Sequence, residues 1–507
     1  MKKALSVIIG LALMMSLMTV TVLNTSAAWI GGVANAFAGG TGTEADPYLI
    51  SSASELALLG SNVNSGEKYA GKYFKLVADI DLGEIDWEPI GNYATAVEEF
   101  YGIFDGDGHT ISGVKMDGSS TYMGLFGRVS SAIIKNLKVK GPMASSVIEA
   151  KTTYVGGVVA YATNGTQIIN CTAEFDIIRG TTVGGIVGRM QNMSGYTEAK
   201  GLVNSCFFYG KLEALNIKNS YAGGIAGVAG AAIISFCGNY GEVTTLGATS
   251  ASMAGGIVGC QGAEKVPAHI YNCYNLGKVS AISTSNATYA GGIVGRAAHV
   301  EDYADIAEIK NCFSTTKPIV TDASGQALDG KFGSLIGHIR YLATIKNCYT
   351  SVSLTDMPEV GTDSYASIET DSIYILTDDQ MKGVAALDNM KLGEGWTVDN
   401  DYPTIDVEKA MTLTGAPVVD ESETTTAAPE TTVAPETTVA PETTVAPETT
   451  VAPETTVAPE TTVASETTAA PTTEAPKDNE GGCGGLVALG IVACMIPAAV
   501  VVLKKRD

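Results

Sequence analysis

Four histidines, His109, His269, His299 and His338, are all the imidazole this 507-residue chain carries, and none begins a His-Glu-x-x-His run. That run brings two imidazoles and a general base to one zinc ion, so a zinc protease of that type is excluded. Carboxylates cluster twice, at Asp79, Asp81 and Asp86 and again at Asp105 and Asp107. Grouped carboxylates are what a polysaccharide lyase or hydrolase needs for Ca2+ binding or acid–base work. Both groups lie among glycines, where Asp commonly hydrogen-bonds the backbone of a turn, and turn use is the expectation here. No Ser–His or Cys–His pairing stands out. No catalytic residue, metal ligand or cofactor is assigned, and the chain is not expected to be an enzyme.

Other reactive side chains recur instead of clustering. Six of the nine cysteines, Cys171, Cys206, Cys237, Cys273, Cys312 and Cys348, each close a short block that opens on a β-branched residue, as in Ile168-Ile-Asn-Cys171 and Ile309-Lys-Asn-Cys312. The first such block has Leu137 in that place, which marks an apolar slot. A ladder of reduced, buried thiols is expected, since free Cys packs as a small hydrophobe. Disulfides are the alternative for an even set in an exported chain. Tyr154, Tyr221 and Tyr289 also share one repeat position, with Thr121, Thr182 and Met253 in the other units, and Arg128, Arg189 and Arg296 follow the last glycine of three motifs. Aromatic faces and guanidinium forks suit sugar rings and carboxylates, which makes these six the candidate ligand-binding residues. Stacking between rungs is the structural reading of the tyrosines, and a solvated corner charge that of the arginines.

Recurrence at this spacing requires a repeating scaffold. Aligned on glycine, the chain reads Gly124-Leu-Phe-Gly127, Gly156-Gly-Val-Val-Ala160, Gly184-Gly-Ile-Val-Gly188, Gly223-Gly-Ile-Ala-Gly227, Gly255-Gly-Ile-Val-Gly259, Gly291-Gly-Ile-Val-Gly295 and Gly333-Ser-Leu-Ile-Gly337. Short β-type runs and glycine turns recurring about every 35 residues, without a helical pattern, indicate a solenoid. The fold expected is all-β, a right-handed parallel β-helix with three strands per coil. A seven-bladed propeller is the rival, but it needs about four antiparallel strands per blade. The glycine pairs would mark corners that need positive φ or close backbone approach. Coils are expected over 119–352, preceded by an N-terminal cap and first coils at 42–118 and followed by a closing segment at 353–410. Within the cap, Ser52-Ala-Ser-Glu55 has capping-box spacing and opens a short helix.

The ends address the chain. Lys2 and Lys3, an apolar run and then Ala27 give a signal peptide over 1–27, and hence export. Residues 420–480 repeat Pro-Glu-Thr-Thr-Val-Ala and are expected to be a disordered stalk, because they hold too little apolar surface to fold. Residues 486–503 are uncharged and just long enough for a transmembrane helix, with Lys504, Lys505 and Arg506 in a cytoplasmic tail at 504–507. The ectodomain would then lie outside, on a cell membrane crossed once. The net charge of −23 repels phosphate backbones, so nucleic acid is not an expected partner.

The glycine motif, with Asp46-Pro-Tyr-Leu-Ile50, Trp87-Glu-Pro-Ile-Gly91, Phe104-Asp-Gly-Asp-Gly-His-Thr-Ile111 and Leu376-Thr-Asp-Asp-Gln380, resembles the GLUG-motif surface proteins over roughly residues 42 to 406. That resemblance implies a β-helical extracellular module of Gram-positive type, used in adhesion or attached to enzymes. The function expected is therefore non-catalytic display and adhesion at the cell surface. Its partners would be an extracellular glycan or a host or neighbouring surface protein, and the lipid bilayer through 486–503. A polysaccharide-active enzyme or a structural surface-layer component on the same scaffold is the alternative.

Overall fold

A glycine-rich repeat of this length cannot bury an apolar face by itself, and the chain solves this by stacking each repeat on the next. The computed structural model describes residues 29–94, 98–116, 118, 120–143, 152–192, 200–215, 218–247, 249–261, 267–283, 287–298, 306–328, 331–340, 343–354, 356–363 and 373–413. The segments at 1–27, 420–480, 486–503 and 504–507, together with His299 and Cys483, lie outside the described residues. Among those described, no helix is long and apolar enough to cross a membrane.

The fold is an all-β parallel solenoid. Its rungs form a seven-stranded sheet running from Tyr122–Met123 to Phe332–Gly333, an eight-stranded sheet from Phe126–Ser130 to Val360–Asp363, and one large sheet of 21 strands. Register follows the motif: Gly156, Gly184, Gly223, Gly255, Gly291 and Gly333 are successive rung partners. Strand pairs among the described residues are parallel except Trp396–Thr397 with Thr404–Ile405, which excludes the propeller. The inward residues of each rung, such as Val155, Val159, Ile168 and Cys171, stack on their equivalents in one continuous core. Full burial of each Val or Ile contributes about 1.5–3 kcal/mol.

Of the two roles expected for the motif glycines, positive φ or close approach, close approach is the one that applies. A Cβ on Gly156 would lie 2.0 Å from the Val159 carbonyl oxygen, and one on Gly157 2.4 Å from that of Gly185. Positive φ falls instead at the residue before each cysteine, including Asn170 (51°), Asn272 (53°), Asn311 (54°) and Asn347 (52°). Asn is the residue with a Cβ that most readily adopts this conformation. Because these corners bend the third strand, a full coil contains five short strands instead of three: Asn219–Gly223, Ala226–Ala229, Ala232–Ser235, Gly238–Asn239 and Glu242–Leu246.

The closing segment also does more than cap an end. Its first part supplies a further rung at Val360–Asp363 and Ile373–Leu376. The chain after it then lies along the side of the solenoid, where Met381, Met390, Leu392 and Trp396 cover an aromatic row of Phe236, Tyr274, Phe313 and Tyr349. At the other end, helix Ala53–Asn64 starts at Ser52 with the expected capping box and buries Leu56, Leu59 and Val63 in the main core.

Candidate functional site

The clustered carboxylates are engaged by local partners. Asp79 accepts from the Thr110 amide at 2.9 Å and pairs with His109 at 3.1 Å. The Thr110 hydrogen bond, more than His109, holds its carboxyl below the usual range. Asp81 caps the Gly83 amide at 2.9 Å, Asp86 pairs with Lys115 at 3.3 Å and Asp107 with Lys75 at 3.0 Å. Asp105 accepts from Asn136 at 3.0 Å and from the Asp107 amide at 2.9 Å, and pairs with Lys135 at 3.2 Å. These are turn and rung contacts of the kind their glycine-rich setting predicts.

The six ladder cysteines are free and buried. Each thiol donates to the carbonyl two residues before it, as at Cys206 to Asn204 (3.2 Å), Cys273 to Tyr271 (3.2 Å) and Cys312 to Lys310 (3.3 Å). The left-handed residue between donor and acceptor makes this bond possible by turning the chain. Burial pushes the thiols at Cys171, Cys206, Cys273 and Cys348 up, which suppresses the thiolate needed for reaction or metal ligation. Cys260 is buried outside this ladder and is disulfide-bonded, not free.

The tyrosine and arginine rows form one strip. Register gives the first row as Tyr122, Tyr154, Thr182, Tyr221, Met253 and Tyr289, so the first unit contributes Tyr122 and not Thr121. The second row is Arg128, Tyr161, Arg189, Val228, Cys260, Arg296 and His338. The glycine bend folds these rows against each other. Tyr154 meets Tyr161 edge to face at 5.0 Å, the Arg189 guanidinium lies 5.8 Å from the Tyr154 ring, and Tyr289 stacks on His338 at 4.2 Å. The arginines are not solvated corner charges, because Arg128 and Arg189 are 6% exposed and Arg296 3%. Burying a guanidinium costs several kcal/mol unless it is paired, and Arg128 is paired with the equally buried Glu99. Tyr221 and Tyr289 are buried as well, whereas Tyr154 is half-buried.

At its N-terminal end the strip reaches a cleft of about 570 Å3 bordered by Asp86, Trp87, Glu88, Asn92, Tyr93 and Ser120. The helix end positions it: the Asn64 side chain accepts from the Gly91 and Asn92 amides at 2.8 and 3.0 Å and donates to the Pro89 carbonyl at 3.1 Å. Trp87 is fixed by donation to the Leu125 carbonyl at 3.0 Å. Tyr93 adopts φ 53°, costly for an aromatic residue, and its ring lies 4.0 Å from the Arg128 guanidinium. Sequence reasoning missed Asn64 and Tyr93 because neither recurs in the repeat. Among the described residues, no group of three or more His, Cys, Asp or Glu side chains is placed to hold a metal ion.

Comparison with known proteins adds a family and two relatives. The family model described as the GLUG motif matches residues 152–178. Halomucin of Haloquadratum walsbyi is 31% identical over 177 residues, which is 33% of this chain and 2% of halomucin. A protein provisionally named a Gly-rich membrane protein, from Evansella cellulosilytica, is 37% identical over 134 residues, 24% of this chain and 14% of its own length. The chain thus spans only a small part of either relative. A solved structure of a candidate immunoglobulin A1 protease from Bacteroides ovatus has 24% identity and a TM-score of 0.46, with coverage of 73% of this chain and 95% of that one.

Proposed function

This chain is a GLUG-motif repeat protein, and on that premise we propose that its solenoid is a non-catalytic adhesion module at the cell surface that takes an extracellular glycan in the cleft beside Tyr93. The observation that carries this reading is Tyr93 itself, an aromatic ring held in a left-handed backbone conformation at the cleft and backed by the buried Arg128–Glu99 pair. Strain of this kind concentrates at ligand sites. The ring offers a sugar a stacking face, and Asn92, Glu88 and Ser120 supply hydroxyl partners around it. The names of the two relatives, a mucin and a membrane protein, support placement at the surface. The apolar stretch 486–503 would anchor the chain in the bilayer, with 420–480 as a tether.

A glycan array probed with the whole chain tests this. Binding should appear for a defined glycan set and weaken about tenfold in Tyr93→Ala with an unchanged melting curve. Silence, or binding indifferent to Tyr93→Ala, would overturn the assignment and favour a purely structural component. Shortened oligosaccharide would instead give Asp86 and Glu88 the roles of a lyase or hydrolase. Ending the chain after Glu480 should release it from cells.

A further inference from the structure

A second concave site lies on the large sheet, away from the tyrosine–arginine strip. Strand Gln167–Gly180 pairs with Phe207–Leu215 in regular register as far as Phe175 opposite Gly210, and pairing resumes at Ile178 opposite Leu212. One extra residue is therefore accommodated at Asp176–Ile177, a β-bulge of the kind that re-aims side chains. The rung below must yield to it: Gly210 takes φ 125°, and a Cβ there would lie 1.8 Å from the Phe175 carbonyl oxygen. The result is a cleft of about 320 Å3 bordered by Glu84, Lys140, Pro142, Glu174, Asp176 and Tyr209.

Tyr209 is the built element of this cleft. It is 40% exposed, unlike the buried tyrosines of the strip. One face of its ring stacks on Tyr240 at 4.7 Å and 6°, and the Tyr240 hydroxyl is 2.5 Å from that of Tyr274. The register partner of Tyr209 on the other neighbouring rung is Glu174, whose exposed side chain is engaged by Lys140. The ring is thus fixed before any ligand arrives, which removes an ordering cost from binding. Glu84, Glu174 and Asp176 surround it; Lys140 and Lys138 both answer Glu174, at 2.8 and 3.8 Å, which leaves Glu84 and Asp176 as the carboxylates without an ion pair among the described residues. Such a rim repels sulfated or carboxylated sugars and phosphate. It attracts a cation, which also gains from the aromatic face.

We propose that this ledge binds an amino sugar with a free amine, its ring face on Tyr209 and its ammonium toward Asp176 and Glu174. The site is separate from the cleft beside Tyr93 and stands or falls without it. A basic peptide satisfies the charge, but a flat ring wall beside a 320 Å3 hollow fits a saccharide ring better than a single extended side chain.

Calorimetric titration of the whole chain with tetra-glucosamine, tetra-N-acetylglucosamine and tetra-lysine tests this. The glucosamine oligomer should bind, with the acetylated one about tenfold weaker because it lacks the cation. Tyr209→Ala and Asp176→Asn should each weaken binding about tenfold. Glu174→Gln, which keeps side-chain volume, serves as the second probe should Tyr209→Ala lower the melting temperature, and it should show the same loss. No binding, equal binding of tetra-lysine, or affinity retained in both Tyr209→Ala and Glu174→Gln would overturn the proposal.

Discussion

Each coil turns at two kinds of corner, and the residue types that mark them do opposite jobs from those their conformational reputations suggest. At the Gly-Gly bend the backbone is at ordinary φ, and glycine is required because the next rung is too close for a Cβ. At the Asn-Cys bend the backbone is left-handed, and the chain uses asparagine where glycine would cost less strain. Asparagine adds a side-chain ladder in return: Asn170 donates to Asn136 at 2.9 Å, Asn311 to Asn272 at 3.1 Å and Asn347 to Asn311 at 2.7 Å. One corner is specified by what cannot fit and the other by what can bond. Substitutions should therefore fail differently at the two.

The sharpest break is Gly224→Ala. The new methyl would lie 2.1 Å from the Gly256 carbonyl oxygen and 2.4 Å from Asn239 Cγ, and backbone on the next rung cannot move aside cheaply. A loss on the order of 4 kcal/mol, read by chemical denaturation, is expected. If the cost stayed near that of an ordinary surface change, steric closure would not be what defines the glycine corner.

A second test uses pH to compare the strip with the thiol core. Burial, with Arg296, Arg340 and Lys331 nearby, pushes His338 down to about 3 from its ordinary 6.5. The folded His338 stays neutral where the unfolded one protonates, so between pH 6.5 and 3 the unfolded chain holds more protons. Its contribution to stability is fully present above pH 6.5 and shrinks as the pH falls. By pH 5 the loss should reach about 2 kcal/mol, and His338→Phe should remove that part of the pH dependence. An identical profile in the variant would rule out His338 as its source.

At the asparagine corner, Asn272→Ala should cost about 1–2 kcal/mol, since alanine is strained at φ 53° and the bond from Asn311 is lost. Asn272→Gly relieves the strain but not the lost bond, so it should be milder by denaturation midpoint. The reverse order would mean that side-chain volume, and not backbone conformation, sets this corner.

The repeat was legible in the sequence because stacking in register puts like residues on like. Seven glycine motifs and six cysteines map one to one onto rungs and onto the buried slot that Leu137 indicates. What periodicity could not give was direction and covering. The tyrosine and arginine rows lie on different strands, and only the folded glycine bend shows that they face each other and that the arginines are buried. The first unit is one residue shorter at the bend, with Gly124 alone before Leu125, so alignment on the second glycine of the pair puts Thr121 in the row where strand register puts Tyr122. The cleft at Tyr93 and the ledge at Tyr209 depend on a helix end and a bulge, each present once, and a repeat pattern carries no trace of single events.

The smallest effect expected is at the cysteines, and it separates packing from hydrogen bonding within the asparagine corner. Cys273 is fully buried and donates to the Tyr271 carbonyl at 3.2 Å, but a thiol is a weak donor. If the slot is mainly apolar, as Leu137 in the first unit implies, then Cys273→Ala should cost about 1 kcal/mol through the small cavity it leaves. Cys273→Ser keeps a donor for the same carbonyl but places a more polar group in the core, so it should be no more stable than the alanine variant. Denaturation midpoints of the two variants decide between these accounts: a serine variant clearly more stable than alanine would show that the bond to the carbonyl, and not the buried sulfur, is what the position requires. Thiol labelling provides the independent check. In the folded chain Cys273 should react slowly, because burial both hides it and pushes its thiol up, and denaturant should expose all six ladder thiols together. Early labelling of one rung, or recovery of the six as disulfides, would mean that the column is not the continuous reduced core seen here.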